Sequence, residues 1–322
     1  MKSAFINPVM FEKKLICFAA IGILLLSWNC GESNLEKSDP DKTKHPANTV
    51  QTTKPTVYFG VISRYNPRVM FEEYQPIMDY LTKNTPFNFE LKLGKTYEDA
   101  VDYLCSGEVQ IASLGGLTYL EAHKRCGAVP IVRPLNKNGH DFYRSIIIVR
   151  KDSPIQTLND LRGHSYAFAS IHSTSGNLIA RYTLANAGLK LSDFSFYKNF
   201  KHHDQVAKEV LRGHIDAGSV KDIIAYRNLK KGLRILNKSE PIPSVPLVAK
   251  SDCNPEIVNS LKEALLKIDP SDPQQKKMLA TWNEEFRYGF IKAKDSDYLP
   301  LRKILNNIPQ TCGSTCHPRI NL

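Results

Sequence analysis

The sequence has none of the motifs that would place it in a common class of enzyme. No lysine follows a glycine-rich turn in a Walker arrangement, so nucleotide hydrolysis is not indicated. No G-x-S-x-G nucleophile elbow is present either, which argues against a Ser-His-Asp hydrolase. His202, His203 and Asp204 are adjacent and lack the spaced partners that a metal site needs. We therefore expect no enzyme, no metal site and no other cofactor.

The sequence also lacks the patterns typical of nucleic-acid-binding proteins. It has no arginine-rich tract, no aromatic and basic RNA signature, no zinc-finger spacing and no heptad run. Lys and Arg number 43 against 32 Asp and Glu, a formal charge of +11, but the basic residues are scattered along the chain. This charge is better explained as a solubility and anion-attracting background, and we expect no nucleic-acid partner.

The apolar run near the N-terminus is too short for an ordinary membrane span. It covers residues 15–26, follows two lysines, and falls well below the roughly 20 residues that a spanning helix needs. The run leads to Cys30, and residues 1–29 resemble a bacterial lipoprotein signal peptide, after which the cysteine is lipidated. Plain secretion and a retained transmembrane anchor are the alternatives.

The remaining chain has the composition and alternation of an α/β protein. Residues 30–55 are polar and nearly free of apolar side chains, which is typical of a solvated tether. From residue 56, short apolar strands alternate with helical stretches. The chain of 322 residues exceeds a typical single domain, and an apolar strand beginning at Tyr143 starts a second series. We predict two α/β lobes, each a mainly parallel sheet flanked by helices, with lobe 1 at 56–142 and 240–308 and lobe 2 at 143–239.

The cysteines fit an oxidising compartment. Removal of Cys17 with the signal peptide and lipidation of Cys30 would leave an odd number, so at least one thiol stays unpaired. Cys312 and Cys316 are close enough in sequence for a local disulfide within a C-terminal tail at 309–322. The alternative, a metal site made by these cysteines and a nearby histidine, lacks a fourth ligand.

The clearest candidate site is a run of hydroxyls where a strand meets a helix. Ser173, Thr174, Ser175 and Gly176 follow a predicted strand at 165–169. The first N–H groups of a helix have no partner within the helix and attract anions, and the hydroxyls would add neutral donors. Simple N-capping by one hydroxyl is the alternative interpretation.

Three stretches in this order resemble the substrate-binding proteins of phosphate, phosphite and phosphonate importers, which have the type 2 periplasmic-binding-protein fold. They are residues 146–155 with 158–163, the run Ser173-Thr174-Ser175-Gly176, and His203 with residues 211–217. The resemblance implies a ligand cleft between the lobes, and an ABC permease and ATPase as partners. We expect a monomer.

The resemblance also implies the ligand-binding side chains. Hydroxyls and N–H groups of the Ser-Thr-Ser run would hold the ligand oxygens, and His203 would donate a charge-assisted hydrogen bond if protonated. One tyrosine would lie at the cleft floor and another would reach across from lobe 1. Ordinary half-buried tyrosines and a surface histidine are the alternatives. The implied set is Tyr97, Tyr143, Ser173, Thr174, Ser175 and His203.

Two positions depart from the family pattern. Val245 stands where phosphonate-binding members carry an aspartate, and Ile223 stands where aminophosphonate-binding members carry a glutamate. The first departure weakens the case for a protonated monoanionic ligand, and the second disfavours an aminoalkyl substituent.

The sequence thus predicts an exported, lipid-anchored protein on the periplasmic or cell-surface side of a bacterial membrane. Its predicted function is that of the solute-binding component of an ABC importer, capturing phosphate, phosphite or a phosphonate between its lobes. The alternative is a surface or sensor lipoprotein whose cleft serves another small anion or a partner protein.

Overall fold

The computed structural model describes residues 54–312, with side chains to residue 307. The predicted signal peptide, Cys30, most of the tether and Cys316 lie outside the described residues, as does the side chain of Cys312. Among the described residues, no helix is long and apolar enough to cross a membrane.

Within residues 54–312 the strands alternate with helices along most of the chain. The strands are β1 (Thr56–Val61), β2 (Asn88–Leu93), β3 (Ile111–Ser113), β4 (Val129–Pro134), β5 (Phe142–Tyr143), β6 (Ser145–Arg150), β7 (Ser165–Phe168), β8 (Phe196–Asn199), β9 (Ala217–Lys221), β10 (Leu233–Lys238), β11 (Ile242–Pro243), β12 (Leu247–Ala249) and β13 (Phe290–Lys292). The α-helices are α1 (Pro67–Asn84), α2 (Tyr97–Ser106), α3 (Gly116–Cys126), α4 (Ala180–Asn186), α5 (His203–Leu211), α6 (Asp222–Asn228), α7 (Pro255–Leu266), α8 (Pro273–Leu279) and α9 (Leu299–Cys312).

Local sequence sets several helix boundaries. Thr96 caps α2 by accepting a hydrogen bond from the N–H of Asp99, whose carboxylate bonds back to the cap. Gly107 ends the same helix in the left-handed conformation, with φ at 84°. Helix α9 continues to Cys312, so the predicted tail begins with helical residues.

Two mixed sheets form two lobes. Lobe 1 is built on a sheet with strand order β13-β4-β12-β3-β1-β2, and lobe 2 on a sheet with order β10-β6-β9-β7-β8. Pairing is parallel in β2-β1-β3 and in β8-β7-β9. The other pairs in both sheets are antiparallel, so the predicted two-lobed α/β fold is confirmed while the sheets are less parallel than expected.

The antiparallel strands follow from the crossings between lobes. Strands β1, β3, β7 and β9 end at the cleft between the lobes. Strands β6 and β12 instead enter their lobes from the crossing segments, so they start at the cleft and run away from it. Ser145 at the start of β6 accordingly pairs with Lys221 at the end of β9, and Leu247 pairs with Ser113.

The two crossing segments pair with each other. Strands β5 and β11 form a short antiparallel ribbon in which Tyr143 lies opposite Ile242 and Phe142 opposite Pro243. Both chain crossings between the lobes are thus tied together at this ribbon.

A disulfide joins two helices of lobe 1. Cys105 in α2 is bonded to Cys126 in α3, a pairing that the sequence did not indicate. Cys253 is a free, half-buried thiol, in agreement with the expectation of an unpaired cysteine.

Candidate functional site

All six side chains predicted to bind the ligand line one cavity of about 20 Å³ between the lobes. It lies where β1, β3, β7 and β9 end, the edge at which α/β sheets present their ligand sites. Val245, 2% exposed, forms part of the wall. Two cationic residues that the sequence did not single out, Arg64 and Lys221, complete the lining.

Ser173 is both the cap of a helix and part of the cavity wall. It precedes a turn of π-helix, Thr174–Ile179, that runs directly into α4. Its hydroxyl oxygen accepts a hydrogen bond from the N–H of Gly176 at 3.0 Å and lies 3.1 Å from Nε2 of His203. Ser173 is therefore an N-cap, as the alternative interpretation predicted. Both of these bonds use the hydroxyl oxygen as acceptor, so the hydroxyl hydrogen can still be donated to a ligand.

The tautomer of His203 follows from its second partner. The backbone N–H of Lys221 donates to Nδ1 at 3.2 Å, so Nε2 carries the ring hydrogen and donates to Ser173. Burial, reinforced by the charges of Lys221 and Arg64, lowers the pKa of His203 to about 3. The imidazole is thus a neutral donor in the interior, neither the charge-assisted donor expected nor a surface residue.

Thr174 connects the two lobes. Its Oγ1 accepts a hydrogen bond from the N–H of Leu117, in the first turn of α3, at 2.9 Å. A Cβ on Gly115 would lie 3.2 Å from the same oxygen, so glycine permits this approach. The N-termini of α3 and of the Ser173-capped helix consequently face each other across the cleft.

Neighbouring hydroxyls hold the backbone of the Ser-Thr-Ser loop. Ser145 donates to the carbonyl of Ser175 at 2.7 Å, and Ser219 donates to the carbonyl of Gly176 at 2.8 Å. These bonds hold the carbonyls against lobe 2, and the hydroxyl-bearing residues of the loop line the cavity.

The two tyrosines are buried rather than half-buried, with exposures of 4% for Tyr97 and 6% for Tyr143. The Tyr97 side chain interacts with Ser173, and the Tyr143 side chain with Thr174. Burial raises the pKa of Tyr97 to about 12 and raises that of Tyr143 further. Both phenols therefore keep their hydrogens and can donate to an anion.

A buried charge cluster forms the wall beside Tyr143. Glu285 makes ion pairs with both Arg64 and Lys221. Arg64 also bonds to the Tyr74 hydroxyl at 3.2 Å, and the Lys221 ammonium lies 4.0 Å from the centroid of the Tyr143 ring. Burial and the Arg64 charge lower the pKa of Lys221.

A second, larger chamber of about 520 Å³ adjoins the small cavity and shares Tyr143 and Lys221 with it. Ile223, the second departure from the family pattern, lines this chamber. Its acidic groups are already engaged: Asp222 accepts from the N–H groups of Arg144 and Ile223, and Glu284 pairs with Arg227.

Two further histidines of lobe 2 reach lobe 1. His172 lies 2.6 Å from Glu98 in α2 and 3.6 Å from Glu121 in α3. His202 lies 2.9 Å from the carbonyl of Ser63, whereas the adjacent His203 turns to Ser173. The two neighbouring rings thus point in different directions, and no metal-ligating group of three or more side chains occurs among the described residues.

Comparison with known families agrees with this architecture. Residues 59–298 match the model of the ABC transporter, phosphonate, periplasmic substrate-binding protein family. The chain belongs to this family. The resemblance predicted from the sequence is therefore confirmed, and the chain is the extracytoplasmic substrate-binding component of an ABC importer rather than a member of an enzyme family.

Individual members of this family cover most of the chain. The phosphonates-binding periplasmic protein of Escherichia coli (strain K12) is 24% identical over 272 residues, 80% of this chain and 78% of the relative. A solved binding protein of an ABC phosphonate transporter from Pseudomonas aeruginosa has a TM-score of 0.72 at 24% identity, covering 80% of this chain and 88% of that one. The Prochlorococcus marinus (MIT 9301) protein PhnD1, solved with methylphosphonate, has a TM-score of 0.71 at 21% identity, covering 80% and 100%.

Proposed function

We propose that this chain captures a small phosphorus oxyanion in the cavity between its lobes and delivers it to an ABC permease driven by an ATPase. The observation that carries the proposal is the convergence of the Ser-Thr-Ser helix terminus, two buried tyrosines and two cations on one cavity. Such a set supplies many hydrogen-bond donors and positive charge at a water-excluded point, which is what a compact oxyanion requires.

Each group has a distinct part in the proposed capture. Ser173, Thr174 and Ser175 hold the ligand oxygens with their hydroxyls, at the N-terminus of the helix that Ser173 caps. His203 orients the Ser173 hydroxyl, because it donates to that oxygen and leaves the serine hydrogen for the ligand. Tyr97 donates from lobe 1 as the cleft closes over the anion.

Closure is proposed to occur about the ribbon formed by β5 and β11. Lobe 1 then comprises 56–142 and 240–308, and lobe 2 comprises 143–239, with both boundaries falling at this ribbon or beside it. The bond from Leu117 to Thr174 and the contact of His202 with Ser63 then belong to the closed form.

The ligand is proposed to be phosphate, phosphite or a small alkylphosphonate. Of the relatives named above, one is a phosphonates-binding protein, one is the binding protein of an ABC phosphonate transporter, and one is solved with methylphosphonate. An aminoalkyl substituent is disfavoured, since Ile223 offers no carboxylate to an ammonium group. The larger chamber, which adjoins the cavity at Lys221, gives room for a substituent on the phosphorus.

A thermal-shift screen of the chain from Gly31 onward tests the proposal. Phosphate, phosphite, methylphosphonate, 2-aminoethylphosphonate and acetate would each be added, because a ligand that binds the folded state raises its Tm. We expect a clear rise with at least one of the first three and none with acetate. No rise with any phosphorus oxyanion would contradict the proposal.

A paired variant tests the loop itself. Thr174→Ala combined with Ser175→Ala should weaken binding of the responding anion by about 2 to 4 kcal/mol, at roughly 1 to 2 for each lost donor. The matched control is Ser195→Ala with Thr281→Ala, at two exposed hydroxyls away from the cavity. Unchanged affinity by calorimetry in the first pair would refute the assignment of this loop.

The anchor is proposed to be a lipid on Cys30, with residues 31–55 as the tether. Lipidation predicts that the exported protein incorporates labelled palmitate and stays with the membrane fraction. Cys30→Ala should then abolish labelling. A labelled Cys30→Ala protein, or an unlabelled wild type, would favour the alternatives of plain secretion or an uncleaved anchor.

The C-terminal tail is proposed to hold a local disulfide between Cys312 and Cys316, in a monomeric protein. Peptide mapping without reduction should recover these cysteines in one linked peptide, separate from the Cys105–Cys126 pair. Size-exclusion chromatography with light scattering should give the mass of one chain, and a dimer would overturn that part.

A further inference from the structure

The small cavity is lined by hydrogen-bond donors and cations without any carboxylate. Its charged residues are Arg64 and Lys221, and its hydroxyl groups come from the tyrosines and the Ser-Thr-Ser run. His203 is neutral with its hydrogen on Nε2, so it too donates. Val245 occupies the wall with an apolar side chain.

Such a lining should bind the protonated and deprotonated forms of a ligand with different affinities. A phosphorus oxyanion that keeps one acidic hydrogen needs an acceptor for that hydrogen, and hydroxyl oxygens already receiving bonds are poor candidates. Ser173 receives bonds from Gly176 and His203, and Thr174 receives one from Leu117. A fully deprotonated ligand, in contrast, offers an acceptor to every donor of the cavity.

The charges at the cavity wall also favour a fully deprotonated ligand. Arg64 and Lys221 line the small cavity, whereas Glu285, which pairs with both cations, and Asp222, which stabilises the charge of Lys221, lie outside its lining. Asp222 accepts from the N–H groups of Arg144 and Ile223, which holds its carboxylate at the wall of the larger chamber. An anion in the cavity therefore lies next to both cations and farther from the two carboxylates, and two negative charges are attracted more strongly there than one.

We propose that Lys221 is a specificity-determining residue that makes this cavity select a doubly charged, hydrogen-free tetrahedral oxyanion over a singly charged one of the same shape. This inference deepens the proposed function and rests on it. Its corollary is that the cavity has no means of rejecting sulfate by charge or by hydrogen bonding, since sulfate is also a tetrahedral dianion.

Two ligands of equal shape and unequal charge test the proposal. Above the second ionisation of methylphosphonate the ligand is a dianion, whereas methanesulfonate has the same outline and a single charge. Titration calorimetry should show methylphosphonate binding about 30-fold or more tighter, the scale of a buried charge contact. Sulfate should bind measurably at the same pH.

Variants then assign the preference to one side chain. Lys221→Met should reduce the methylphosphonate to methanesulfonate ratio by about tenfold or more, and Lys221→Arg should largely keep it. Lys83→Met, an exposed lysine at the end of α1, removes the same charge outside the cleft and should leave the ratio unchanged. The ratio of methylphosphonate to methanesulfonate affinity in the wild type requires no variant. It therefore tests the preference for a dianion even if Lys221→Met does not fold.

The outcomes separate this inference from the function beneath it. Binding of methylphosphonate and methanesulfonate with equal affinity, absence of sulfate binding, or an unchanged ratio in a folded Lys221→Met protein would overturn the inference and leave the proposed function standing. Binding of no phosphorus oxyanion, phosphate and phosphite included, would overturn both.

Discussion

Protonation of His172 should strengthen ligand binding, because its charged form links the two lobes. The ring is 8% exposed and lies between Glu98 and Glu121 of lobe 1. Burial by itself would lower the pKa of His172, but the nearby carboxylates of Glu121 and Glu98 outweigh burial and raise it. Arg125 bonds to Glu121 at 3.1 Å, and the pKa of Glu121 is lowered, so this carboxylate stays charged.

The sign and size of the effect follow from this geometry. The pKa is raised in the closed form, so the extra stability of closure is fully present below the ordinary histidine value of about 6.5 and is lost as pH rises through the raised value. A charge-assisted hydrogen bond contributes about 1.5 to 3 kcal/mol, and Glu98 is half exposed, so screening reduces this to about 1 to 2 kcal/mol. The corresponding change in affinity is about 5- to 30-fold.

The assay is a pH series of dissociation constants for wild type and His172→Gln. At each pH the ratio of the two constants cancels the ionisation of the ligand and of other groups. The dissociation constant of His172→Gln divided by that of the wild type should be about 5 to 30 at acid pH. This ratio should approach one at alkaline pH.

His214 offers a matched control, because it pairs with Glu209 at 2.9 Å within lobe 2 alone. His214→Gln should give a ratio near one at every pH. A His172→Gln ratio that is independent of pH, or that grows as pH rises, would refute the reasoning.

Three further changes should alter stability measured by urea unfolding. Gly176→Ala should cost about 1 to 3 kcal/mol, because the added Cβ would collide with Ala169; an unchanged midpoint would show that the loop is not tightly packed. Replacing Cys105 and Cys126 by serine should cost about 3 kcal/mol for their separation of 21 residues, an effect that reduction should reproduce. Glu285→Gln should cost about 3 to 5 kcal/mol, because the buried guanidinium of Arg64 loses its counter-charge within lobe 1, and a neutral result would contradict this ion pair.

The sequence was sufficient for the parts of the site that follow local rules. The position of the Ser-Thr-Ser run at a helix N-terminus could be predicted, because its hydroxyls follow a buried strand and precede a helix. The alternating pattern also predicted two lobes and the crossover at Tyr143. Arg64 could have been found by the same rule, since it follows the end of β1, at the edge where α/β sheets bind ligands.

Lys221 could not be found in this way, because the sequence around it does not have the pattern of a strand. Strand β9 contains Gly218 and Ser219, which indicate a loop by propensity. In the structure these small residues reflect close packing: a Cβ on Gly218 would lie 2.6 Å from Val206 and 3.1 Å from the carbonyl of Ala167. The disulfide was missed for a similar reason, since spacing alone does not determine which cysteines pair.

The position of Glu285 connects the charge of the site with the closing of the lobes. Glu285 and Arg64 belong to lobe 1, whereas Lys221 ends a strand of lobe 2. When the lobes separate, we expect Lys221 to return to water and Arg64 to keep the carboxylate for itself. Closure therefore buries Lys221 close to Arg64, and the repulsion between these two cations is relieved by an anion between the lobes. A ligand that compensates this charge binds the closed form better than the open one, and that difference in affinity is what shifts the population toward closure.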